Sequence, residues 1–316
     1  MNKFKKNIYL ITGASGFVGS CLLRKLVEKE ARVHIILRKN SKTWRIKDIS
    51  DKVNVHTGDL SKFNEVQQIV NKVRPTIIYH LASYGAYPYQ KNVEKILKTN
   101  IFGTWNLLKA AADHQYKLFV NTGSSSEYGF KKKPMKEADL LEPASYYAVT
   151  KCTQTYLCSH MANESHKPIV TLRPFSVYGP YEEPSRLIPT LLKTLYVGEK
   201  MSLVSPHIAR DLIYVNDTID AYLKIKELQR YPGMVFNIGT GIQSTIKQIV
   251  KTAFKVTDKK IKLEWGRIKP RSWDTTNWVA DISLAKKLLS WEPKYNLSRG
   301  LYNTWEWFNS NHKFYI

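Results

Sequence analysis

The sequence predicts an α/β chain: a doubly wound parallel sheet followed by a smaller mixed α/β C-terminal domain. Three observations predict it. Short apolar runs alternate with helical patterns from residue 7 to residue 174, and such alternation marks a parallel sheet covered on both faces. The first apolar run leads directly into a glycine-spaced turn and a helix at 12–20. After Pro174 the alternation loosens, and Trp265, Trp273, Trp278, Trp291, Trp305 and Trp307 crowd the last 75 residues.

The elements follow in order. The run NIYLITG (7–13) ends in glycine, as a buried strand does. A helical pattern covers 17–30, strands are expected at 32–38 and 53–60, and a helix at 63–73. A strand at 75–82, a long helix at 92–113, a strand at 117–123, a helix at 145–165 and a strand at 168–174 complete the alternation. Beyond it come a helix at 186–195, a strand or turn entering a helix over 210–228, and a short strand at 235–239. The division is placed at 1–177 and 178–316, with segments near 210–220 and 233–240 open to returning to the first domain.

Composition narrows the class. With 316 residues, 43% of them hydrophobic, the chain has enough apolar surface for a full core. Cys21, Cys152 and Cys158 form neither a CxxC nor a metal-ligand spacing, so a reducing cytoplasm is expected. No apolar run reaches the length of a membrane span. The net charge of +23 invites a nucleic-acid reading. Its lysines and arginines are dispersed, however, and the densest cluster, KKKPMK at 131–136, reads as an exposed loop. A solvated basic surface favouring anionic substrates is expected, not a nucleic-acid or membrane partner.

TGASGFVGS (12–20) carries glycines at 13, 16 and 19. Gly13 allows a tight turn, Gly16 admits a pyrophosphate to the backbone, and Gly19 lets helix and strand pack closely. The helix N-terminus then offers free N–H groups and a positive dipole end to phosphate. Gly13, Ser15, Gly16, Phe17, Val18 and Gly19 are thus candidate dinucleotide contacts in a Rossmann-type domain. Leu60, at the end of the third strand, and Leu81 and Ala82, at the end of the fourth, join them. Where an acid would bind the ribose of NAD, this chain has Arg38 and Lys39, with Ser41 nearby. Arg38 suits a 2′-phosphate, so NADP(H) is the expected cofactor. NAD(H) stays open, because an arginine stacked on adenine serves either. Asp59 is expected at the adenine edge or in a strand-terminal turn.

SYYAVTK (145–151) puts Tyr147 and Lys151 on one helix face. An ammonium beside a phenol favours the phenolate, which suits an acid–base tyrosine. The alternative is a stabilising helical pair.

These features occur in a fixed order with HLA (80–82), TNIFGTWNLLKAA (99–111), GSSSEYG (123–129), LRPFSVYGP (172–180), RDLIYVND (210–217) and WVADISLAKKLLSWEP (278–293). Together they resemble the extended short-chain dehydrogenase/reductases that act on nucleotide sugars. The resemblance implies a catalytic serine, tyrosine and lysine: Ser124 or Ser125, with Ser124 preferred, Tyr147 and Lys151. It implies Asn100 behind the site, and Pro174 and Ser176 at the nicotinamide. Tyr84 and Glu127 are expected at the sugar. Arg186, Arg210, Arg271 and Asp274 are expected at the nucleoside diphosphate, with an interdomain ion pair as the alternative for Arg210 and Asp211. A homodimer through the helices at 92–113 and 145–165 is implied as well.

The resemblance leaves the reaction open. Hydride exchange at sugar C4 is shared, and a 4-keto-6-deoxysugar reductase is favoured by GSSSEYG and Arg38. The alternatives are a 4-epimerase, then a 4,6-dehydratase, which would need an acid where Ser126 stands. A dinucleotide-binding regulatory module is the non-enzymatic alternative.

Overall fold

The structure is a computed structural model and describes residues 4–271 and 274–316. Trp273 of the expected tryptophan cluster lies outside the described residues. The chain opens β1 (Ile8–Thr12), α1 (Phe17–Glu28), β2 (Arg32–Leu37), β3 (Asn54–Thr57), α2 (Phe63–Val73) and β4 (Ile77–His80). Then come α3 (Val93–Leu97), a π turn (Lys98–Phe102), α4 (Gly103–Ala112), β5 (Leu118–Thr122), α5 (Tyr146–Ser165) and β6 (Ile169–Pro174). They are followed by β7 (Ser176–Tyr178), α6 (Leu187–Val197), β8 (Met201–Leu203), β9 (Ala209–Tyr214), α7 (Val215–Tyr222) and α8 (Ile225–Leu228). The chain closes with β10 (Val235–Ile238), β11 (Gln243–Thr245), α9 (Ile246–Thr257), β12 (Leu263–Trp265), α10 (Ser283–Leu289) and α11 (Leu297–Asn311).

Two compact units result. One holds residues 1–127, 141–173 and 222–236; the other holds 128–140, 174–221 and 237–316. The main sheet has the order β10-β6-β5-β4-β1-β2-β3. Its pairs run parallel, with Tyr9 opposite Val33 and Ile77, and Phe119 opposite Ile169. β4 is buried along its whole length, as a central strand between two helical layers must be. The third strand is shorter than expected, because β3 is the sheet edge and three of its four residues are exposed.

Helix faces follow from spacing. In α2, Val66, Ile69, Val70 and Val73 recur at three- and four-residue steps and are buried. They join Leu10, Ile78, Leu107, Leu108 and Phe119 in one apolar cluster. A buried polar network also ties this unit together. His80 bonds Thr12 Oγ1 through Nδ1 at 2.7 Å and Thr104 Oγ1 through Nε2 at 2.9 Å. Burial, with Lys151 adding to it, pushes His80 down to about 3, so it is neutral at ordinary pH.

In the second unit β9 pairs with β7 in parallel and with β11 antiparallel, and β12 pairs with β8. The segment near 210–220 therefore forms a separate small sheet, while β10 alone from the later chain sits at the edge of the main sheet. Two acids of the RDLIYVND stretch hold this unit together. Asp211 accepts from Thr240 N, Thr240 Oγ1, Gly241 N and Ala280 N. Asp217 accepts from Lys294 N and Tyr295 N, each at 3.0 Å. α9 starts with a capping box, Thr245 and Gln248 each bonding the other's backbone. Among the described residues no helix is long and apolar enough to cross a membrane.

Candidate active site

The glycine turn is built against the sheet. Gly13 has a left-handed φ of +74°, and a Cβ there would lie 2.5 Å from Ala82 N and 2.6 Å from the Leu81 carbonyl carbon. A Cβ on Gly19 would fall 2.2 Å from Gly13 O, so α1 rests directly on the turn. α1 begins at Phe17 with no side-chain cap, leaving its first N–H groups for an anion. This cradle fits a dinucleotide pyrophosphate. Ser15 and Val18 are half-buried on it, while Phe17 is buried. The Leu60 side chain is buried in the apolar cluster. Its carbonyl accepts from Asn106 Nδ2 at 2.9 Å.

After β2, Arg38 and Lys39 are exposed, and Arg38 N donates to Ser41 Oγ at 3.0 Å. The next acid along the chain, Asp48, is held by both terminal nitrogens of Arg24. Asp59 takes the strand-terminal turn: its Oδ1 accepts from Ser61 N at 2.9 Å and Ser61 Oγ at 2.8 Å. Burial pushes that carboxyl up, but the Ser61 bonds and the charges of Arg38 and Lys62 bring it below its usual value.

α5 carries the tyrosine and lysine. Ser145 caps it, accepting from Ala148 N at 3.1 Å. Tyr147 is half-buried on the first turn, and Lys151 is buried one turn later. Lys151 Nζ lies 5.8 Å from the Tyr147 ring centroid and donates to Thr122 O, at the end of β5, at 2.8 Å. Burial pushes Lys151 down to about 8, opposed by the charge of Glu127 and then by Cys158. β5 also delivers the serines. Ser124 Oγ is 2.8 Å from Ser126 Oγ and half-buried, whereas Ser125 is buried.

Asn100 lies in the π turn, where a widened helical turn often marks a functional site. It accepts from Tyr84 N, donates to Tyr84 O, and donates to Thr150 Oγ1, each at 2.8 Å. Thr150 Oγ1 in turn donates to the Tyr147 carbonyl at 2.8 Å. Asn100 therefore ties the tyrosine-rich loop after β4 to the turn bearing Tyr147. Sequence reasoning missed Thr150 and Thr122, because nothing local announces contacts made 50 and 29 residues apart.

Glu127 corrects another expectation. It is fully buried and is held by Arg173 Nε at 3.0 Å and Nη2 at 2.7 Å, so it is not exposed to a sugar. Arg173 is buried with it.

In the second unit Arg210 Nη2 lies 2.5 Å from Asp274 Oδ1, and Asp274 Oδ2 accepts from Arg271 N at 2.9 Å. The ion pair expected as Arg210–Asp211 is Arg210–Asp274, since Asp211 is committed to amides of Thr240, Gly241 and Ala280. Arg186 lies 3.9 Å from Glu182, and Pro174 and Ser176 are half-buried. Among the described residues no group of three or more His, Cys, Asp or Glu side chains is placed to hold a metal.

The chain is similar to known proteins along most of its length. A UDP-glucose 4-epimerase of Lactobacillus helveticus is 29% identical over 330 residues, covering 97% of this chain and 98% of that one. A dTDP-4-dehydro-6-deoxyglucose reductase of Escherichia coli is 26% identical, covering 94% and 96%. The crystal structure of UDP-glucuronic acid 4-epimerase from Bacillus cereus, with UDP-glucuronic acid and NAD, superposes with a TM-score of 0.85 at 27% identity, covering 96% and 99%. Residues 9–239 match the NAD dependent epimerase/dehydratase family, and the chain belongs to that family.

Proposed function

We propose that the chain is a reductase of a 4-keto-6-deoxysugar carried on a nucleoside diphosphate, working with NADPH. The observation that carries this reading is the cationic turn after β2. Arg38 and Lys39 are exposed there, and the next acid, Asp48, is engaged by Arg24. A guanidinium recognises a 2′-phosphate by paired hydrogen bonds, whereas an acid at this place would repel it. A dinucleotide held on the glycine turn would supply the hydride for C4. Tyr147 gives its phenolic proton to the C4 oxygen, Ser124 donates a hydrogen bond to that oxygen, and Lys151 holds a positive charge beside the phenol. Arg186, Arg210, Arg271 and Asp274 are proposed to bind the nucleoside diphosphate. Cys21, Cys152 and Cys158 are not joined in disulfides, which suits the reducing cytoplasm as the working compartment.

Dehydration is disfavoured because Ser126 stands where it needs a carboxylate, and Glu127 is consumed by Arg173. The second reading is a 4-epimerase, favoured by the epimerases among the relatives. The two are separated by purifying the protein without added cofactor, denaturing it and identifying what is released. A reductase is expected to come out empty and to bind NADPH more tightly than NADH. Arg38→Asp is expected to weaken NADPH binding by about 10- to 100-fold, from the loss of about 1.5–3 kcal/mol of charge-assisted bonding. Near-stoichiometric NAD released from the wild type would overturn the reductase reading in favour of the epimerase.

A homodimer is also proposed. Tyr146, Val149 and Tyr156 on α5, Phe102 at the end of the π turn and Trp105 on α4 are exposed apolar side chains on two neighbouring helical segments. Their expected partners are the same side chains of a second copy. Sedimentation velocity at micromolar concentration should show a dimer, and a monomer alone would overturn this.

A further inference from the structure

We propose that Glu127 is a positioning residue, whose buried carboxylate fixes the Ser124 turn and sets a negative charge against α5 at Thr155, one turn beyond Lys151. The inference rests on the reading of Ser124, Tyr147 and Lys151 as the catalytic set. It is carried by the geometry of one carboxylate. Oε1 accepts from Ser124 N at 2.7 Å. Oε2 accepts from Thr155 Oγ1 at 2.8 Å, and from Arg173 Nε and Nη2 at 3.0 and 2.7 Å. Glu127 thus ties the turn after β5 to α5, which bears Tyr147 and Lys151, and to β6. The space around it is closed. A Cβ on Gly123 would lie 2.7 Å from Glu127 Oε1 and 3.0 Å from Thr171 Cγ2.

A structural pair alone would not need this arrangement. A buried ion pair is weak evidence for stability, since two apolar residues often serve as well. Here the carboxylate is spent on the backbone N–H of Ser124 as well as on the guanidinium. It also acts on Lys151, whose descent with burial it opposes. The other titratable groups around that lysine do not replace it. His80 on β4 is held neutral, Cys158 on α5 is pushed up by burial, and Cys152 is pushed up to about 11. Tyr147 shares its helix, Tyr222 is pushed up by burial, and Arg173 is the cation already paired with Glu127.

The test compares Glu127→Gln, which removes the charge, with Glu127→Asp, which keeps it on a shorter arm. Amide hydrogen exchange of the cofactor-free protein reports on Ser124 N–H, and steady-state kinetics from pH 6 to 10 report on Lys151. Both variants are expected to speed exchange in residues 123–128 and to lower kcat by about tenfold or more, with KM within about threefold. Only Glu127→Gln is expected to move the alkaline limb of kcat to lower pH, by about one unit, since neutralising Glu127 leaves Lys151 easier to deprotonate. Wild-type exchange and kcat in the folded variants would overturn the proposal. So would a lower melting temperature as the only change, or a limb that moves equally in both variants. Should Glu127→Gln not fold, Glu127→Asp still decides through exchange and kcat. Tyr147→Phe run alongside separates the two readings: if it stays active the catalytic assignment itself fails, and if it is inactive while the Glu127 variants match wild type only the present inference fails.

Discussion

Tyr147→Phe is expected to lower kcat by about 10²- to 10⁴-fold, the range for a positioned proton donor, with KM little changed. The aromatic ring is retained, so packing on the first turn of α5 is largely undisturbed and only the hydroxyl with its transferable proton is lost. The wild type should also lose activity as pH rises through about 8, because Lys151 titrates there and its charge is what steadies the phenolate. The sign follows from burial, which favours the neutral amine. A kcat within threefold of wild type in the folded variant would remove Tyr147 from the chemistry.

Gly19→Ala is expected to weaken dinucleotide binding severely while leaving a folded but less stable protein. The added methyl would meet Gly13 O at 2.2 Å and Gly13 C at 2.9 Å, both backbone atoms that cannot rotate away. Relief requires α1 to back off from β1, which withdraws the helix N-terminus from the phosphate. Overpacking of this kind costs about 1–3 kcal/mol of stability. Loss of the helix-terminal bonds should raise Kd by about 100-fold or more, equivalent to about 2.7 kcal/mol. Calorimetric titration of the purified variant checks it, and an unchanged Kd would show that the turn does not hold the cofactor.

The legible parts of this fold were those with local causes. The glycine spacing, the apolar runs of β1, β4 and β5, and the faces of α1 and α2 are written in residues a few positions apart. Tyr147 and Lys151 were legible for the same reason. Glu127 was misread because its sequence neighbours look like a substrate loop, while its partner Arg173 is 46 residues away. Arg210 and Asp211 were read together as an ion pair. In β9 neighbouring side chains point to opposite faces, so the two residues reach different partners. The long helix at 92–113 was read as continuous, since a π turn leaves no mark in an apolar pattern that continues through it.

The place of β10 in the main sheet has a consequence for biosynthesis. β6 is flanked on one side by β5 and on the other by a strand that begins at Val235. Its residues Ile169, Val170 and Leu172 are fully enclosed in the finished protein. A ribosome adding about 5–20 residues per second needs several seconds between completing β6 and delivering β10. A nascent chain that assembles its sheet as the strands emerge therefore carries, for that interval, an apolar strand with one row of amides and carbonyls unsatisfied. Slow translation across 175–234 would lengthen the exposure, and holding that edge is the service a chaperone would render to this chain.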